Sequence, residues 1–133
     1  MKLKQNRGGF TLMEVLIVVV VLAVLAGLAV PMYTASVEKS RKAEALAALG
    51  ALRQSELRFF AQTGAYTNAI ANLDFDPASV AGGQTLHFTY AVATPSAVTF
   101  TATATRNATD LPAGAPANRT VTITQAGVVG GTM

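Results

Sequence analysis

The chain has 133 residues, enough for one modest domain, and its charged share of 13% is about half that of an ordinary soluble domain while 51% is hydrophobic. Its formal charge of +3 rests on Lys2, Lys4 and Arg7, all ahead of the first acidic residue; ten basic residues less these three leave seven, matched by seven acidic ones, so the basicity argues for no nucleic-acid partner. With no cysteine there is no disulfide framework, thiolate metal site or thiol nucleophile.

Every residue from Val15 to Val30 is apolar or glycine. As a helix, Phe10 to Met32 would be about 34 Å long, enough to cross a hydrocarbon core of about 30 Å. A domain of this size is too small to enclose a helix that is apolar on all sides. A secretory signal would carry a shorter apolar run followed by an A-x-A site, whereas here the small residues Gly8 and Gly9 come first. A cut after Gly9 would discard the basic leader and keep the helix. Glu14 lies inside the start of this run, where a carboxylate is costly and usually marks function.

The string Arg7-Gly8-Gly9-Phe10-Thr11-Leu12-Met13-Glu14 resembles the processing site of type IV prepilins. The resemblance implies a prepilin peptidase that cuts after Gly9 and N-methylates Phe10. It makes Glu14 the assembly residue, pairing with the N-terminal amine of a subunit already in a growing filament. A desolvated pair of this kind sets register, because either charge left alone is expensive. Pro31 sits where pilins commonly place a proline near the end of the hydrophobic helix. Proline removes a backbone donor, so Gly27 and Pro31 predict a kink or unwinding near 26–31, a region that melts in assembled pilins.

After the break, a helix over 33–62 is expected. Leu46, Leu49, Leu52, Leu57, Phe59 and Phe60 share one broad arc, and Arg53 and Glu56 intrude on it, spaced to pair with each other or reach a neighbour. Thr63-Gly64 reads as its stop, followed by a connection over 63–83. The hydrophobic period then falls to two. Strands are expected at about 84–93, 97–106 and 119–126, with a hairpin turn at Ala93 to Ala97 and a longer loop over 106–118. The expected fold is α+β: a long N-terminal helix, hydrophobic then amphipathic, packed on a small antiparallel sheet of about three strands, the pilin fold. Its divisions are a leader at 1–9, a membrane and filament-core helix at 10–32, and a globular head at 33–133.

Little else in the chain bears chemistry. His87 is the only histidine, so no nucleophile–base pair forms around it. Asp74 and Asp76 are too few alone for calcium, and Asp76-Pro77 is also a common turn. Gly82-Gly83 and Gly130-Gly131 read as turn and tail rather than a phosphate loop. Asn107-Ala108-Thr109 and Asn118-Arg119-Thr120 match glycosylation sequons that recur by chance. Arg106 and Arg119 flank the long loop but make a weak funnel for nucleic acid. No enzyme activity, metal or cofactor is expected.

By resemblance, the chain is a structural subunit of a type IV pilus-like filament, a homo-oligomer in helical array; the alternative is a pseudopilin of a type II secretion system. The implied partners are the prepilin peptidase, an assembly ATPase and an inner-membrane platform protein. The implied route runs from a single-pass inner-membrane protein with a periplasmic head to an extracellular filament at the cell surface. Lys2, Lys4 and Arg7 before the span, against Lys39, Arg41 and Lys42 diluted by Glu38 and Glu44 after it, lean toward a cytoplasmic N-terminus.

Overall fold

A computed structural model describes residues 9–80, 87–110 and 119–132. Helix α1 runs Leu12–Thr63, α2 is the short Pro77–Val80, and four strands follow: β1 (Phe88–Ser96), β2 (Thr99–Arg106), β3 (Thr120–Thr124) and β4 (Val129–Gly131). The chain divides into two compact units, the first ending at Glu38 and the second beginning at Lys39.

The helix is unbroken through Gly27 and Pro31, so the unwound turn expected at 26–31 is absent from this structure. Apart from the Gly27 carbonyl, which Pro31 leaves without an N–H partner, a continuous helix lets this apolar segment satisfy its backbone groups internally, as an apolar surrounding would require. The stop falls where expected. Gly64 takes φ +80° and donates its N–H to the Phe60 carbonyl at 2.8 Å, an αL cap that a side chain would strain.

In the second unit α1 lays a stripe of small and large residues on the sheet. Ala45, Leu49 and Leu52 meet Phe88 and Val92 of β1, Phe100, Ala102 and Ala104 of β2, and Val121 and Ile123 of β3. The alanines Ala102 and Ala104 let the helix approach closely, while Phe88 and Phe100 fill the flanks at about 1.5–3 kcal/mol of burial each. Along β2 and β3 burial alternates strictly, with apolar side chains, and Arg106 at the end of β2, inward and threonines outward, as the period of two requires.

The sheet is an antiparallel meander in the order β1-β2-β3-β4, one strand more than expected. Val129–Gly131 had read as tail because two glycines leave no side-chain alternation to detect. Its pairing instead comes from backbone: Val121 opposes Gly131 and Ile123 opposes Val129, joined through a turn in which Gly127 has φ +84°. The first hairpin is also displaced. β1 continues through Ser96, and the turn is Ala97-Val98. Pro95 fits because β1 is an edge strand, where a missing N–H costs no ladder bond, and the register shifts between Ala93 and Ser96. The third strand ends at Thr124 rather than 126. The start of the first expected strand at 84–86, Gly82-Gly83 and most of the long loop lie outside the described residues.

Gly131 combines φ +123° with a position where a Cβ would run into the Thr120 carbonyl oxygen. Strain and overlap each cost about 1–3 kcal/mol. Gly131→Ala is therefore expected to lower the melting temperature of the chain in detergent by roughly 8 °C or more. A wild-type Tm for this variant would show that β4 pairing is dispensable.

Four polar residues of α1 tie the loops to the helix. Arg53 Nε donates to the Gln125 carbonyl at 3.0 Å in the β3–β4 turn, and Ser55 Oγ donates to the Asp74 carbonyl at 2.7 Å. Arg58 donates to Ser55 Oγ at 3.0 Å. Glu56 is fully buried and its Oε2 accepts the Thr67 N–H at 3.2 Å. Arg53 and Glu56 thus serve two different loops and form no pair with each other. Between α1 and β1, Tyr66 stacks on Phe60 at 4.5 Å and meets Phe100 edge-on at 4.8 Å, while Phe75 meets Tyr90 at 5.8 Å. This connection carries a 3₁₀ turn at Ile70–Asn72 as well as α2.

Candidate assembly site

The apolar stretch of α1 in the first unit is not buried among the described residues. From Val15 to Val30 the large apolar side chains are each 51–64% exposed, on every side of the helix. A soluble helix would hide one face and wet the other; this one offers all faces to an apolar surrounding. By length and composition it is able to cross a membrane.

Thr11 starts the helix. Its carbonyl accepts the N–H groups of Glu14 and Val15 at 3.1 and 3.2 Å, and its Oγ1 accepts the Glu14 N–H at 3.2 Å. Threonine at the cap with glutamate three residues on has the capping-box spacing, and the Thr11 contacts hold the Glu14 backbone in the first turn beside the positive end of the helix dipole. Sequence reasoning passed over Thr11; the T-x-x-E spacing was the signal that would have found it. Among the described residues no cation lies within ion-pair distance of the Glu14 carboxylate. Phe10, directly ahead, is 83% exposed. Gly9 has open space around it, and Gly8 lies outside the described residues, as does the rest of the leader.

Gly27 and Pro31 form one feature rather than two. They are four residues apart, so the N–H that Pro31 lacks is the one that would have bonded the Gly27 carbonyl. A Cβ at Gly27 would meet nothing within 4 Å among the described residues, so no packing seen there explains the glycine, although it costs about 1 kcal/mol relative to alanine in a helix. Thr34 Oγ1 donates back to the Pro31 carbonyl at 2.9 Å, a bond of the kind that bends helices.

The other candidates are not gathered into a site. Asp74 reaches Arg58 at 3.6 Å, and Asp76 Oδ1 caps α2 by accepting the Ala78 N–H at 3.0 Å. Among the described residues no three His, Cys, Asp or Glu side chains are grouped to hold a metal ion. His87 lies just before β1, its N–H directed to Glu44 Oε1 at 3.4 Å. Arg106 and Arg119 do approach, through the Arg106 N–H and the Arg119 carbonyl at 3.0 Å, but the Arg106 side chain is buried among the core. Asn107 is half-buried, and the Asn118 sequon begins outside the described residues.

Comparison with known proteins matches two successive parts of the chain. Residues 4–30 match the family model of the prokaryotic N-terminal methylation motif. Residues 31–114, well over half of the chain, match the model described as type IV minor pilin ComP, DNA uptake sequence receptor. The type IV major pilin protein PilA of Myxococcus xanthus (strain DK1622) is 34% identical over 73 residues, which is 55% of this chain and 33% of that protein. The matched part therefore spans about a third of the length of that relative. No solved structure matches the chain.

Proposed function

The chain belongs to the type IV pilin family, a family of structural subunits rather than enzymes, and from that premise we propose that it is a subunit of a type IV pilus-like filament. The observation that carries the reading is the pairing of a helix exposed and apolar on all sides with a single capped carboxylate in its first turn. In this reading the peptidase cuts between Gly9 and Phe10 and methylates the new amine. The precursor waits in the inner membrane with its head in the periplasm. An ATPase and a platform protein then drive the helix from lipid into a bundle of like helices, where the same apolar faces stay covered. Glu14 meets the Phe10 amine of a neighbour, and the Gly27–Pro31 rung, already lacking one hydrogen bond, yields where the helix must stretch.

A pseudopilin of a type II secretion system would use the same N-terminal machinery and stands as the alternative. The matched relative bears the name of a major pilin, which supports the pilus reading without separating it from the pseudopilin. The DNA-receptor duty named for the matched family is not carried over to this chain.

The test is intact mass and N-terminal sequencing of the chain from sheared surface material and from membranes. A methylated chain beginning at Phe10 in the sheared fraction is expected. The same chain confined to membranes would favour the pseudopilin, and a chain beginning at Met1 in both fractions would overturn the reading.

A further inference from the structure

Among the described residues of the second unit, the exposed lysines and the exposed aspartates lie at different ends. Lys39 and Lys42 are exposed about one helical turn apart on α1, with Arg41 half-buried between them. Lys42 borders a cleft of about 220 Å³ shared with Thr120, Val121, Val129, Gly130 and Gly131, which places it at the β4 edge of the sheet. Asp74 and Asp76 are exposed on the connection between α1 and β1. Phe75, between them, packs on Tyr90 of β1 at 5.8 Å, which places both carboxylates at the β1 edge. Arg58 lies 3.6 Å from Asp74, and the Asp74 side chain is 99% exposed. From Lys42 to Arg58 the helix rises by about 24 Å at ~1.5 Å per residue. The positive and negative pairs therefore occupy opposite ends and opposite edges of one unit.

We infer that these two patches meet between successive copies of the chain, Lys39 and Lys42 of one copy against Asp74 and Asp76 of the next. This rests on the filament reading above. A patch that complements a different patch on the same molecule makes a heterologous contact, and such a contact repeats along an open helix instead of closing into a dimer. Like charge within each patch opposes the isologous pairing that would close. Charges this exposed contribute modest affinity, but they fix register and steer approach, and their effect is screened by salt. The apolar helices supply cohesion, and the charged ends decide which rotation about the filament axis is kept.

Charge reversal with the full chain in its host tests this, with sheared filament yield as the readout and Glu14→Ala alongside. Lys39→Glu/Lys42→Glu and Asp74→Lys/Asp76→Lys are each expected to lower the yield about fivefold or more, and the four changes together to restore at least about half of it. In this cysteine-free chain, Lys42→Cys with Asp74→Cys and a short bis-maleimide is expected to give a ladder of cross-linked multimers. Wild-type yield from both double variants, or a fourfold variant no better than the poorer double, overturns the contact. The second outcome would assign each patch a separate partner, such as nucleic acid on the lysines or a cationic protein on the aspartates. Loss of filaments in Glu14→Ala with no loss in either double overturns the contact and leaves the filament standing. If the wild-type chain is never sheared off, the filament reading falls instead, and the ladder in membranes then decides the contact: present, it stands; absent, it is overturned.

Discussion

Glu14→Ala is expected to insert and lose its leader as the wild type does, yet to leave less than about a tenth of the wild-type yield in sheared material. Insertion should not suffer, because removing a carboxylate from an apolar helix lowers the cost of placing it in lipid. Processing should not suffer either, since Gly9 and Phe10 are untouched. Filament formation carries the whole effect. A helix apolar on every side slides and rotates against its neighbours at little cost, so the one charge near its end is the only group that distinguishes the right register from its alternatives. Glu14→Gln keeps the shape and the cap contact to Thr11 but not the charge, and should fail in the same way. Normal yield from both variants would remove the registration role. Thr11→Val, which loses the cap hydroxyl but keeps Glu14, should show a smaller loss of about fivefold, in line with ~1 kcal/mol for a cap.

Glu56 carries the second large effect. Its carboxylate is fully buried, one oxygen holding the Thr67 N–H and the other, Oε1, buried without a hydrogen bond. Burial raises its pKa above the ordinary carboxylate range, and the Thr67 N–H only partly offsets this. The folded chain therefore binds a proton more readily than the unfolded chain. Between the ordinary pKa and the raised one, stability falls as pH increases, and the cost of the buried charge is fully felt above the raised value. Glu56→Gln removes the charge and keeps the acceptor, so its Tm at pH 8 should equal or exceed that of the wild type, with a flatter profile from pH 8 down to pH 5. Glu56→Ala strips the Thr67 N–H of its acceptor and opens a cavity beside Leu52. It should cost about 2–4 kcal/mol, roughly 10–20 °C in Tm. A Gln variant that melts as low as the Ala variant would mean that the charge itself is stabilising, against the assignment of burial as the dominant cause.

These two glutamates mark the limits of reading the chain as a string. Glu14 stood out because its surroundings are sequence-local: the apolar run and the glycines ahead lie within one stretch. Glu56 read as a stray charge on an apolar arc, with Arg53 at helical spacing as the obvious partner. Its true contact is a loop N–H eleven residues away, and that of Arg53 is a carbonyl 72 residues away. A helical period ranks neighbours along the helix and is silent about which loop will fold onto it.

By itself the sequence determined the membrane-length helix, its stop at Thr63-Gly64, the α+β class and three of the strands, because each is written as a hydrophobic period of 3.6 or 2 or as turn chemistry within a few residues. Only the tertiary structure decided the rest. It added the fourth strand, whose glycines carry no periodic signal and whose pairing rests on backbone bonds and positive-φ geometry across from Thr120 and Thr122. It carried β1 past Pro95, permitted because that strand lies at an edge. It also drew Lys42 to one sheet edge and Asp74 to the other, since the position of a surface charge is set by the packing of apolar residues beneath it, which the charge does not share.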